Sequence, residues 1–330
     1  MNMNEQVIII GGGPCGMAAA IALKRRGIDA AIIEKKNIVH SIYEYPVHQT
    51  FFSSADKLEI GGHPFPVVDR KPRRQEALVY YRKVAEAEKL RIYNYEEVQT
   101  ILETEDGYLV QTETLQGGTR EWEAPHVIIA TGYYDNPNHM GVPGETLPHV
   151  KHYFEEAHPH FNQKIVIIGG RNSAVDAALA LEQVNAQVTV LYRGEEYSKS
   201  IKPWILPDFQ AMVRRGAARM EFEADVVRIE PDQVIYKQGG TSHSVPADFV
   251  FAMTGYHPSR AFFRQLGIAV DEQSGRPSFD EETMETNREN VYIAGVIAAG
   301  DEANEIFIEN GRFHGEKIAE NIARKKATSF

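Results

Sequence analysis

The sequence predicts an α/β chain of two doubly wound domains, the second inserted into the first. Three observations carry that prediction. An apolar run, a glycine-rich turn and a helical stretch follow one another near residue 7 and again near residue 165. Two similar segments, Val127–Pro137 and Phe249–Ser259, bracket the second occurrence, each an apolar strand followed by Thr-Gly-Tyr and a proline. The length, 330 residues, exceeds that of a usual single domain.

The first occurrence reads "QVIIIGGGPCGMAAAIALKRRGIDAAIIEKK". Val7–Ile10 is a buried parallel strand, Met17–Arg26 a helix ended by Gly27, and Ala30–Ile33 a second strand closing on Glu34. Gly11, Gly13 and Gly16 fall between them at GxGxxG spacing. Such glycines allow a tight turn, approach of the backbone to a pyrophosphate, and close helix–strand packing. The helix N-terminus meets the phosphate charge, and an acid some 20 residues on, here Glu34, accepts the ribose hydroxyls. Together these features make a Rossmann-like dinucleotide site.

After it come an aromatic-rich loop region, a helix over about Gln75–Lys89 and a short antiparallel element over about Gln99–Thr114. The second motif is "QKIVIIGGRNSAVDAALALEQVNAQVTVLYRG". Strand Ile165–Ile168 leads into Gly169, Gly170, Arg171, Asn172, Ser173 and Ala174, then a helix and strand Val188–Leu191. Arg171 stands where a glycine is expected. This strand ends in Tyr192-Arg193 rather than Glu34-Lys35, and Arg193 would pair with a 2′-phosphate that an acid would repel. That half therefore favours NADP over NAD. A last strand and helix return the chain to the first domain, giving expected boundaries of 1–136 with 258–330, around 137–257.

Composition excludes other classes. A net charge of −11 and a pI near 5.6 argue against nucleic-acid or anionic-membrane partners. No apolar run approaches the ~20 residues of a membrane span, and the polar "MNMNEQ" start argues against a cleavable signal. A single cysteine, Cys15, rules out an internal disulfide and makes a reducing cytoplasm the default. No histidine stands at metal-ligand spacing from cysteine or carboxylates, so no metal site is expected, and "HPH" at 158–160 reads as a loop.

At this level the chain resembles the thioredoxin-reductase-like flavoproteins with two dinucleotide-binding domains, over essentially its whole length. "GGGPCG", "YPVHQTFFSSADKLEIG", "GGRNSAVDAAL" and "IFIENGRFHG" resemble, more narrowly, the bacillithiol-disulfide reductase family. The resemblance implies FAD in the first domain, NADPH in the inserted one, and reduction of a low-molecular-weight disulfide by a homo-oligomer. It implies that Gly11, Gly13, Pro14, Cys15, Gly16, Glu34, Lys35, His48, Gln49, Thr131, Gly132, Gly295 and Ile306 surround FAD. Gly169, Gly170, Arg171, Asn172, Ser173, Ala174 and Arg193 fall to NADPH.

Two departures sharpen this. The Cys-x-x-Cys pair of thioredoxin reductases is absent, which excludes their dithiol chemistry. The final strand ends Ala294-Gly295-Val296, without the aspartate that family places on the flavin side chain.

Cys15 has two readings. Beside a helix N-terminus its thiolate is favoured, and it could form a mixed disulfide with the substrate; beside a pyrophosphate it is disfavoured, and it could be a compact filler. Three rival functions remain at this level: a ferredoxin–NADP reductase of the same fold, a flavin monooxygenase, and a redox sensor without turnover. The basic run Asp69–Gln75 could attract an acidic thiol but reads better as a solvated helix start.

Overall fold

A computed structural model describes residues 2–302 and 305–328. The chain divides into two compact units: Met1–Tyr43, Gln49–Asn136 and Tyr256–Phe330 make the first, and Glu44–His48 and Pro137–Gly255 the second.

The first unit is built on a five-stranded parallel sheet, in the order Val291–Ile293, His126–Ile129, Val7–Ile10, Ala30–Glu34 and Arg91–Asn94. Every residue of Val7–Ile10 and His126–Ile129 is buried. Parallel strands covered on both faces read as unbroken apolar runs, which is why these were legible without alternation. Helix Pro14–Arg25 follows the central strand and buries Gly16 through Leu23. Its first turn opens with Pro14, whose missing N–H costs nothing there. A second sheet joins Glu96–Thr104, Gly107–Thr114 and Thr119–Ala124 antiparallel, with Asn2–Asn4 alongside in parallel. The expected hairpin over 99–114 is thus two strands of a larger sheet.

The second unit repeats the plan with the order Ala218–Glu221, Gln187–Leu191, Lys164–Ile168, Phe249–Ala252 and Val150–Lys151, all parallel. Alternate residues of the central strand supply two cores. Ile165 and Ile167 pack with helix Asn172–Glu182 and Phe209, while Val166 and Ile168 pack with Val234, Tyr236 and Val245. Those last three belong to a three-stranded antiparallel sheet, Asp225–Ile229, Gln233–Gln238 and Thr241–Pro246, which no sequence signal announced.

The expected boundaries differ at two places: Tyr256 and His257, expected with the second domain, fall in the first unit, and one segment goes the other way. Glu44–His48 was placed with the first domain but belongs to the second unit. The Val47 N–H donates to the Glu155 carbonyl at 2.9 Å, and the His48 ring meets Phe154 edge-on at 6.5 Å.

Candidate functional site

The first glycine loop is shaped by three different necessities. Gly11, at φ +111°, donates its N–H to the Ile33 carbonyl at 2.9 Å, and a Cβ there would lie 2.4 Å from the Ala130 oxygen. A Cβ on Gly16 would lie 2.1 Å from the Gly11 carbonyl oxygen. These two are fixed by backbone meeting backbone. At Gly13 a Cβ would touch nothing within 4 Å, and no side chain caps this N-terminal residue of the helix. The bare backbone at a helix N-terminus fits a pyrophosphate, because the first-turn N–H groups and the dipole point at the incoming charge.

Glu34 does more than await a ribose. Its Oε2 accepts the Gly12 N–H at 2.7 Å and its Oε1 accepts the Lys36 N–H at 2.8 Å, so the carboxylate ties strand end to loop. Burial pushes its pKa up and the two backbone donors pull it down. A carboxylate has about four lone-pair positions, so acceptor capacity remains for hydroxyls. Gly12, which sequence reasoning passed over, is the residue that makes this latch possible. Lys35 pairs with Asp135 at 2.9 Å.

Cys15 lies at the first turn of the same helix, half-buried. Two glycines crowd it: a Cβ on Gly295 would stand 3.1 Å from its sulfur, and one on Gly311 3.0 Å. Ile306 lies beside Gly311, within 3.2 Å of where that Cβ would be. The fold therefore gathers Cys15, Gly295 and Ile306, three of the predicted residues. Burial, and then the Glu309 carboxylate, push the Cys15 thiol up to about 12. Glu309 accepts a hydrogen bond from the Ser53 hydroxyl, a contact that brings the "TFFSSADKLEIG" segment to the same place. His314, missed from sequence, accepts the Gly295 N–H on Nδ1 at 3.2 Å. Burial, and then Lys317, lower its pKa to about 4, so it stands neutral.

Other predicted residues of this group sit apart or are ordinary. Thr131 is exposed and Gly132 takes φ +69° in the turn after its strand. Gln49 accepts the Arg74 N–H on its carbonyl at 2.8 Å. His48 is exposed and belongs to the second unit, not to the unit of the Gly11 loop as expected. The basic run is a helix start, as its blander reading held: the Arg73 N–H donates to Glu76 at 2.7 Å, and Arg74 donates to the Tyr43 carbonyl.

The second loop reproduces the first turn. Gly169, at φ +136°, donates to the Leu191 carbonyl at 2.9 Å, and a Cβ there would lie 2.4 Å from the Met253 oxygen. Gly170 lies under the Tyr192 ring, where a Cβ would come within 2.3 Å. Arg171 caps helix Asn172–Glu182 with its carbonyl on the Val175 N–H and is exposed. Asn172 is braced on both sides: its Nδ2 donates to the Ser200 carbonyl at 3.0 Å and its Oδ1 accepts the Lys202 N–H at 2.9 Å. Ser173 and Arg193 are exposed at the mouth of this loop, while Ala174 is buried.

The model of the pyridine nucleotide-disulphide oxidoreductase family matches residues 8–295. The chain is 56% identical over 325 residues to the bacilliredoxin reductase Bdr of Bacillus subtilis, covering 98% of this chain and 99% of that one. The chain belongs to this family. Among solved structures, the bacillithiol disulfide reductase Bdr (YpdA) from Bacillus cereus superposes with a TM-score of 0.97 at 54% identity, covering 98% of this chain and all of that one. The Staphylococcus aureus counterpart gives 0.93 at 53%, covering 98% and 99%. The two-domain flavoprotein fold expected from the sequence is therefore established, and with it a reductase of the pyridine-nucleotide class. Among the described residues no helix is long and apolar enough to cross a membrane.

His139, Glu145 and His152, which no spacing rule connects, come together in the second unit with their ligand atoms all within 4.8 Å. The "HPH" segment is a 3₁₀ turn over His158–His160, with His160 packed edge-on to Phe249 and Phe251.

Proposed function

We propose that this chain is an NADPH-dependent FAD enzyme that reduces a low-molecular-weight disulfide, bacillithiol disulfide foremost. The observation that carries this reading is the position of the sole cysteine: at the first turn of the helix that closes the first dinucleotide loop, in a chain so similar to enzymes named for that disulfide. Gly11, Gly13 and Gly16 would hold the FAD pyrophosphate, Glu34 would accept its ribose hydroxyls, and Gly295 and Ile306 would border it from the far side of Cys15. Gly169, Gly170, Ser173 and Ala174 would cradle NADPH, with Arg193 on the 2′-phosphate. Bound FAD would relay the two electrons of NADPH to the disulfide.

Cys15 supplies the covalent step. Its sulfur attacks one sulfur of the substrate, releasing the first thiol and leaving a mixed disulfide on Cys15. Two electrons and two protons then restore the Cys15 thiol and free the second thiol. At about 12 the thiol is protonated at neutral pH, so the proton must leave as the new sulfur–sulfur bond forms. His314, held neutral against the Gly295 N–H, adds no positive charge at this spot. The enzyme works on a small molecule in a reducing cytoplasm as a homo-oligomer, without nucleic acid or membrane. A second reading, prompted by the name of the Bacillus subtilis relative, makes a bacilliredoxin the acceptor.

The test is anaerobic NADPH consumption by the flavin-loaded protein with bacillithiol disulfide, a bacilliredoxin mixed disulfide, glutathione disulfide or ferredoxin. Multi-turnover oxidation with bacillithiol disulfide, lost in Cys15→Ser, is expected. Turnover with the bacilliredoxin alone would move the substrate to the protein, and brisk ferredoxin reduction without disulfide activity would sink the proposal. Undiminished disulfide turnover in Cys15→Ser would return Cys15 to a packing role.

A further inference from the structure

His139, Glu145 and His152 lie in the loop by which the chain enters the second unit and at the end of strand Val150–Lys151. His139 Nδ1 is 3.6 Å and His152 Nε2 3.7 Å from the same Glu145 oxygen, Oε1. The imidazole rings stand edge to face, with centroids 4.8 Å apart. Zinc bonds to nitrogen and carboxylate oxygen run about 2.0–2.2 Å, so ligand atoms around a tetrahedral ion lie roughly 3.3 Å apart. Two of the three separations exceed that by only a few tenths of an ångström. His139 is 64% exposed at its side chain, so its ring can rotate to close the third.

The surroundings also suit a cation. Glu145 is almost wholly buried and is oriented by two backbone donors, the Met140 N–H at 2.9 Å and the Gly141 N–H at 2.8 Å.

We propose that His139, Glu145 and His152 form a binding site for a divalent transition ion of the zinc type, with a fourth position open to solvent on the His139 side. Two imidazoles and a carboxylate suit zinc and its neighbours far better than magnesium or calcium, which prefer all-oxygen ligands. The site would do structural work at a particular place. Asn138, next to His139, is stapled to the segment just past strand Phe249–Ala252, by which the chain leaves the unit: its N–H donates to the Gly255 carbonyl at 2.9 Å, and its side chain to the Thr254 carbonyl at 3.2 Å. His152 directly follows strand Val150–Lys151, which pairs in parallel with Val250 and Phe251 of strand Phe249–Ala252. An ion here ties the entering segment to the departing one. The site is independent of the disulfide reading.

The test uses the full-length, flavin-loaded protein freed of metal by a chelator and then dialysed. Zinc is titrated against a chromophoric indicator, and melting is followed with and without zinc. One zinc per chain with micromolar or tighter affinity is expected, together with a rise in Tm on adding zinc. His139→Ala, a surface change, should weaken that ion at least tenfold; the H139A/H152A pair should lose one equivalent and the zinc-dependent Tm rise, with flavin absorbance unchanged. Glu145→Gln is a poorer probe because the carboxylate also holds the 140–141 turn. The proposal falls if the wild-type protein takes up no zinc at tens of micromolar, or if H139A/H152A retains the wild-type count and affinity.

Discussion

The two glycine loops carry the same turn with different constraints, and the contrast separates what the fold needs from what a ligand needs. Their first glycines are equivalent: each has φ above +100°, each donates at 2.9 Å to the carbonyl ending the neighbouring strand, and each faces a backbone oxygen 2.4 Å from a would-be Cβ. The second position is pressed by Glu34 in one loop and by Tyr192 in the other, residues at matching ends of matching strands. At the third position Gly13 is answered by Arg171, and at the sixth Gly16 is answered by Ala174. The turn itself thus demands a glycine only where both loops keep one.

Breaking this equivalence at the sixth position should give the largest effect. The second helix accepts a Cβ at Ala174, fully buried at 1% exposure. In the first loop the corresponding atom would meet the Gly11 oxygen at 2.1 Å, and backbone cannot step aside. Gly16→Ala should therefore cost several kcal/mol, of order 3 as in overpacked or strained sites. Purified protein should be colourless, scarce and low-melting. Ala174→Gly, the mirror exchange, should cost only about 1 kcal/mol, the helix-propensity difference, and leave flavin content intact. Equal melting losses in the two variants would show that the helices approach their strands alike.

The third position sharpens the comparison differently. Because a Cβ on Gly13 meets nothing within 4 Å, the polypeptide alone tolerates alanine there, as it tolerates Arg171 in the second loop. If the bare backbone serves a pyrophosphate, Gly13→Ala should melt as the wild-type apoprotein does yet bind FAD at least tenfold more weakly, about 1.4 kcal/mol. Wild-type flavin affinity in that variant would remove the phosphate from this stretch of backbone.

These positions show why the sequence was legible in some places and silent in others. Val7–Ile10 and Lys164–Ile168 could be read because strands buried on both faces leave a continuous apolar signature, and the glycines because their spacing follows from local geometry. The sheet over 225–246 was silent because only one of its faces is covered, and strand Thr241–Pro246 buries only Val245. Glu44–His48 belongs to the second unit, where a backbone hydrogen bond from Val47 and the ring contact of His48 are among its contacts, and neither has a sequence signal. The His139, Glu145 and His152 cluster was hidden because the chain between His139 and Val150 is loop, where neither the helical nor the strand period applies; only the fold brings the three together. Glu34 stands out in sequence as an acid closing a strand, whereas its latch on Gly12 joins residues 22 apart that only the fold brings together.

The smallest predicted effect lies just past the second loop, where Asp176 occupies the place that Ala18 holds in the first helix. Burial raises the Asp176 carboxyl from an ordinary 3.8 to about 6. The proton is thus held more tightly in the folded chain than in the unfolded one. Any stability this gives is complete below pH 3.8 and is lost as the pH rises through about 6, after which the buried charge burdens the fold. Asp176→Asn removes the titration while keeping the shape. Its Tm should exceed that of the wild type by a few degrees at pH 8, at about 2–4 °C per kcal/mol for a domain of this size. The gain should shrink between pH 6 and pH 4 and vanish below. A gain that persists unchanged at pH 4 would mean that the carboxyl is disfavoured by its shape or hydrogen bonding rather than by its charge.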